Sequence, residues 1–206
     1  MDATYPLQLT VDYPDRTLDR VTTLFRLFTA IPILFVLGAV SAWTLQSAHH
    51  RDTVEAAGGL LFLAPLLMIV FRQKYPRWWF DWNRELLRFS DRVLAYLFLM
   101  SDAYPSTDEE QSVHVDFAYP DAKQDLNRWL PLVKWLLAIP HYLVLFFLFI
   151  GAAAAVVIAW FAILFTGRYP RALFEYVEGV IRWQNRVVAY AFLLVTDAYP
   201  PFRLAA

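Results

Sequence analysis

The residues of this chain whose types and spacing could do chemistry are arginines set three and four apart beside carboxylates. Arg77, Asp81, Arg84, Arg88, Asp91 and Arg92 form one set; Arg171, Glu175, Glu178, Arg182, Asn185 and Arg186 repeat it at an offset of 94 residues. At helical spacing each set lies along one face, where exposed opposite charges pair for only tenths of a kcal/mol. A self-neutralised helix face is one expectation. The other is that Arg77, Arg84, Arg88, Arg92, Arg171, Arg182 and Arg186 hold anionic lipid headgroups or a partner's carboxylates, since a guanidinium binds both bidentately.

Other candidates are sparser. His49 and His50, with Asp52 and Glu55, have the donor types of a metal site, and equally the composition of a solvated turn. His141 follows Pro140 on an apolar segment where the matching position holds Ile33, which reads as a packed histidine rather than a proton shuttle. Cysteine is absent, which removes thiol catalysis and thiolate metal sites. No phosphate-binding glycine loop, His-Glu-x-x-His pattern or Gly-x-Ser-x-Gly elbow occurs. The expectation is therefore no catalytic, cofactor or metal residues, and no enzyme. A net charge of −1 offers no bulk attraction for nucleic acid.

The elements that position these residues are apolar. The chain is 59% hydrophobic and 18% charged, and rich in tryptophan and tyrosine, the rings that settle at membrane interfaces. Residues 27–45 and 56–71 are uncharged runs near the roughly 20 residues needed to cross about 30 Å of hydrocarbon. Residues 129–166 hold a longer run, read as a second hairpin turning near Gly151. Arg26 and Lys134 sit at span ends, where long side chains snorkel. Residues 77–100 and 171–195 have helical periodicity, with aromatics opposite the arginines, and read as amphipathic helices lying on the membrane surface. Alternation at Leu7, Leu9 and Val11, and again over Ser112–Tyr119, reads as two short strands that pair with each other.

These elements occur twice. Tyr75-Pro-Arg matches Tyr169-Pro-Arg, Asp102-Ala-Tyr-Pro matches Asp197-Ala-Tyr-Pro, and Ala30-Ile-Pro matches Ala138-Ile-Pro. The reading is an all-α integral membrane protein with four spans in two parallel repeats. Residues 1–105 and 112–206 are the repeats and 106–111 the linker; each repeat has a short strand, a transmembrane hairpin and a cytoplasmic amphipathic helix. That arrangement puts every Lys and Arg except Arg51 on one side, which places both termini in the cytoplasm.

Arg168-Tyr-Pro-Arg-Ala-Leu-Phe-Glu-Tyr, Arg182-Trp-Gln-Asn-Arg-Val-Val-Ala-Tyr190, Thr196-Asp-Ala-Tyr-Pro-Pro-Phe202 and Leu137-Ala-Ile-Pro-His141 together resemble a bacterial family of membrane proteins of unknown function. The resemblance implies a multi-pass protein of the bacterial inner membrane and carries no activity or site residues. The functional expectation is a non-enzymatic structural or accessory subunit of a larger membrane complex, with membrane lipids and other membrane subunits as partners. An anionic-lipid-binding or membrane-organising protein is the alternative, and a small transporter the third reading.

Overall fold

Leu7, Leu9 and Val11 alternate with polar residues, as do Val113, Val115 and Phe117, and a period of two puts each trio on one face of a strand. In the computed structural model, which describes residues 5–40 and 63–205, these are β1 (Leu7–Val11) and β2 (Val113–Phe117). They pair antiparallel, Leu7 opposite Phe117 and Leu9 opposite Val115, and both trios are buried. The described helices are α1 (Arg20–Leu24), α2 (Arg26–Val40), α3 (Leu63–Arg72), α4 (Arg77–Leu97), α5 (Pro131–Leu137), α6 (Ile139–Thr166) and α7 (Arg171–Val188). The last runs into a π-helical turn at Ala189–Leu193.

The sheet lies across the two amphipathic helices, β2 against α4 and β1 against α7. Phe80 of α4 meets Phe117 edge-on at 5.3 Å between ring centroids, and Phe174 of α7 meets Tyr13, just past β1, at 5.1 Å. Both helices start behind a proline, Pro76 or Pro170, whose backbone is extended. The ring fixes φ and disfavours helix at the residue before it. The Tyr119 hydroxyl donates to the Tyr75 carbonyl, and the Tyr13 hydroxyl to the Tyr169 carbonyl. Each tyrosine leaving a strand thus ties down the tyrosine that opens the helix beneath that strand.

Four spans in two hairpins, expected from the apolar runs, are not what the described residues show. Residues 129–166 contain α5 and a single unbroken α6 of 28 residues, roughly 42 Å long at 1.5 Å per residue. Ala152, Ala155, Ala159 and Ile163 form a buried stripe along α6. Alanine is the strongest helix former, so these residues beside the expected turn are packing surface on a continuing helix. Gly151 serves close approach instead: a Cβ there would run into the Tyr176 hydroxyl of α7, which donates to the Leu148 carbonyl at 3.1 Å.

Among the described residues, α6 alone is long and apolar enough to cross a membrane. The other expected spans overlap α2, described to Val40, and α3, described from Leu63; their remaining residues, and the loop with His49 and His50, lie outside the described residues. The all-α, four-span arrangement is therefore replaced by seven helices, a two-stranded sheet and one candidate span among the described residues. The charge argument for cytoplasmic termini needed an even number of crossings, so it lapses with the second hairpin.

Gly167 ends α6 at φ +74°, its N–H bonded to the Ile163 carbonyl at 2.7 Å. A Cβ there would make only ordinary contact with Thr17, at 3.6 Å. Gly167→Ala is therefore expected to destabilise by backbone strain alone, about 1 kcal/mol. Gln73, its counterpart after α3, sits at φ +46°. Gln73→Gly is expected to raise the thermal midpoint in detergent by a few degrees while Gly167→Ala lowers it, and the two melting curves check both.

Candidate functional site

The paired arginines of α4 and α7 mostly face inward. Arg88 Nε donates to the Val115 carbonyl of β2 at 2.9 Å, and Arg182 Nε to the Leu9 carbonyl of β1 at 2.9 Å. Arg182 Nη1 also donates to Leu204 O at 3.1 Å, and Nη2 pairs with Glu178. Arg186 donates to the carbonyls of Arg203 at 3.2 Å and Ala205 at 2.7 Å, and Arg92 to that of Ser106 at 2.9 Å. Arg92, Arg182 and Arg186 are buried, and Arg88 is partly buried. Charge-assisted bonds of this kind are stronger than neutral ones, and they hold the strands and the C-terminal tail. Gly179 admits that tail: a Cβ there would lie 2.9 Å from Leu204 Cβ.

The remaining candidates lie nearer the surface. Arg84 pairs with Asp81 at 3.6 Å and Glu85 at 3.2 Å, and Arg171 with Glu175 at 3.0 Å. Arg77 stands 5.5 Å over the Tyr119 ring, as Arg171 stands 5.5 Å over Tyr13. The self-neutralised face describes Arg84 and Arg171. Arg92, Arg182 and Arg186 are closed off from a headgroup by the carbonyls they serve. Those carbonyls lie 14 to 173 residues away in the chain, so helical periodicity carried no sign of them.

Two positions of the repeated sets meet each other. Asn185 Nδ2 donates to Asp91 Oδ2 at 2.6 Å, joining buried residues of α7 and α4 that are 94 apart in sequence. Burial pushes the Asp91 carboxyl up to about 8, against a smaller lowering by the Asn185 donor. At neutral pH this carboxyl is protonated.

Arg26 and Lys134 do not snorkel. Arg26 is buried, pairs with Asp102 at 2.6 Å, donates to Ser101 O at 3.1 Å and lies 4.1 Å over the Tyr96 ring. Lys134, also buried, pairs with Asp197 at 2.7 Å, donates to Thr196 O at 2.7 Å and lies 5.1 Å over Tyr190. Each repeated Asp-Ala-Tyr-Pro segment is thereby anchored by a buried cation, Arg26 at the start of α2 and Lys134 in the last turn of α5.

His141, at the start of α6, is fully buried in an aromatic cage. Phe202 stacks on it at 4.1 Å, Tyr199 lies at 4.8 Å, and Trp183 Nε1 donates to its Nδ1 at 3.1 Å. An accepting Nδ1 leaves the proton of a neutral ring on Nε2, and that atom has no partner among the described residues. The packed histidine anticipated from the apolar flanks is what forms; its tryptophan partner, 42 residues on, was not anticipated. Among the described residues, no group of three or more His, Asp or Glu is placed to hold a metal ion, and the His49–His50 set lies outside them.

Residues 129–203 match the family model DUF4389, a domain of unknown function. The matched segment holds α5, α6 and α7, and with them Lys134, Asp197 and the whole His141 cage. β1, which covers α7, lies outside it. No curated protein and no solved structure matches.

Two outcomes follow for the buried polar groups. Arg182→Lys loses the forked bonding to Leu9 and Leu204 and is expected to cost about 2 kcal/mol, whereas Arg171→Lys at the surface costs less than about 0.5 kcal/mol; comparative melting checks this. Asp91, protonated when folded and ionised when unfolded between about pH 4 and about 8, lowers stability as pH rises through that window, by at most about 1.4 kcal/mol per unit. The stability advantage of Asp91→Asn over wild type should therefore grow from pH 4 to 8 and then level off in denaturant titrations.

Proposed function

We propose that the protein is a membrane-embedded, non-enzymatic accessory subunit of a complex in the bacterial cytoplasmic membrane, and that it carries the DUF4389-like unit twice. The observation that carries this reading is the bare apolar surface of α6 and α2, beside buried cations whose bonds are all internal. Buried Arg26, Lys134, Arg182 and Arg186 serve the chain's own carbonyls and carboxylates. Meanwhile α6 presents Leu143, Phe146, Phe147, Ile150, Phe161 and Phe165, and α2 presents Leu27, Phe28, Ile31 and Phe35, all at least half exposed. A monomer in water rarely leaves so much contiguous apolar surface bare, whereas hydrocarbon is the natural medium for it. Support for the duplicated unit comes from the matched pairs: Arg26–Asp102 with Lys134–Asp197, and Arg88–Val115 with Arg182–Leu9.

Washing source membranes with alkaline carbonate is expected to leave the full chain in the pellet; recovery as folded protein in the wash would end the membrane reading. Native mass spectrometry after mild detergent extraction is expected to show a stoichiometric protein partner. Emergence as a lone chain would remove the subunit role and leave the embedding intact.

A further inference from the structure

We infer that α6, though long enough to cross a bilayer, lies flat in one leaflet, with its bare face in hydrocarbon and its other face on the protein. The inference rests on the membrane reading above and says how that embedding is made.

At 100° per residue, Leu143, Phe147, Ile150, Val157, Phe161 and Phe165 fall within one sector of about 80°, and each is more than half exposed. His141, Leu145, Ala152, Ala155, Ala159 and Ile163 fall within a sector of about the same width directly opposite, and all are buried. The helix thus has one bare side and one covered side from end to end. From His141 to Ile163 the covered side runs about 33 Å at 1.5 Å per residue, which matches the thickness of a bilayer's hydrocarbon.

What covers it is one continuous body of protein. At the first turn, Phe202 stacks on His141 at 4.1 Å and Trp183 of α7 donates to it at 3.1 Å. Midway, Tyr176 of α7 donates to the Leu148 carbonyl at 3.1 Å. Toward the other end, Trp160 Nε1 donates to the Thr23 carbonyl of α1 at 3.1 Å and Arg20 Nη2 to the Phe165 carbonyl at 3.2 Å. The Leu18 N–H closes the series on the Gly167 carbonyl at 2.8 Å.

A helix that crosses a bilayer takes whatever is packed along it to the same depth. Next to Tyr176, Glu175 pairs with Arg171, and their side chains are 62% and 75% exposed. Crossing would carry that exposed ion pair toward the bilayer centre, where charge is costly. Lying flat leaves it outside the hydrocarbon.

The rim of the bare face fits a lipid surface. α6 contains no charged residue, whereas exposed Arg20 and Arg168 stand at its C-terminal end. Trp129 and Trp135, 62% and 50% exposed, precede its first turn. Arginine complements anionic headgroups, and tryptophan settles at their depth. Helices that lie in the interface are usually amphipathic by themselves; here α1 and α7 supply the polar side.

The test uses the absence of cysteine from the chain. Lys123→Cys and Arg168→Cys, at exposed positions on either side of α6, are treated with a membrane-impermeant maleimide in sealed inverted vesicles of the source membrane and again after lysis. Both are expected to label from the same side; labelling from opposite sides overturns the flat placement. Leu143→Cys, Ile150→Cys, Val157→Cys and Phe165→Cys then carry a nitroxide in vesicles containing phosphatidylglycerol, and oxygen and nickel-chelate relaxation report its depth. These side chains are exposed, so each variant is expected to keep the parental melting curve. All four depths are expected to agree within about 5 Å, at about 5–10 Å into the headgroup and acyl boundary. A profile shallow at 143 and 165 and deepest between 150 and 157 overturns the inference, as does full access of the nickel chelate to all four. A chain retained in the carbonate pellet with its two cysteines on opposite sides ends this inference alone; one released by carbonate ends the membrane reading and this placement with it.

Discussion

A two-stranded sheet has almost no stability of its own, and here it lies over two helices whose faces carry charge. What makes that arrangement possible is the bond from a guanidinium to a strand carbonyl, made by Arg88 to Val115 and by Arg182 to Leu9. Each satisfies an outer group of the ladder and neutralises the polarity of the helix face beneath. Without them the apolar trios of β1 and β2 would meet uncompensated charge. With them, Phe80 packs on Phe117 and Phe174 on Tyr13, each an aromatic contact beside one strand and its helix.

The same economy runs through the molecule. Buried cations point at carbonyls and carboxylates of the segments that follow the amphipathic helices, and a buried Asp–Asn pair joins those helices to each other. These few buried polar groups sit in a mainly apolar core, where they specify one arrangement, and the long α6 meets its surroundings with aliphatic and aromatic side chains.

How much of this was legible beforehand depended on the range of the forces involved. The strands at Leu7–Val11 and Val113–Phe117 and the helices beginning at Arg77 and Arg171 follow from local periodicity and from proline, and they stand where the periodicity put them. The hairpin near Gly151 failed because apolar length alone cannot distinguish two short spans from one long helix; the alanine stripe acquires meaning only once α7 is laid against it. The arginines were visible as a pattern but not as clamps, since carbonyls are anonymous in a sequence. His141 was recognised as packed, while the indole that fixes its tautomer came from a distant turn.

The strands cover each other's helices. β1 precedes α4 in the chain yet lies on α7, and β2 precedes α7 yet lies on α4. Cutting at 106–111 would leave each piece carrying a lid made for the other. The covalent connection makes that exchange intramolecular, at an effective concentration on the order of millimolar for a short flexible tether, however dilute the protein becomes. A shorter polypeptide with one such helix and the strand before it could find the same cover only in a second chain, around a true twofold axis. There the residue at the Asp91 position would face its own duplicate, and two carboxyls would have to share one proton or repel. With both helices in one chain that constraint is absent, and the facing positions are an acid and an amide.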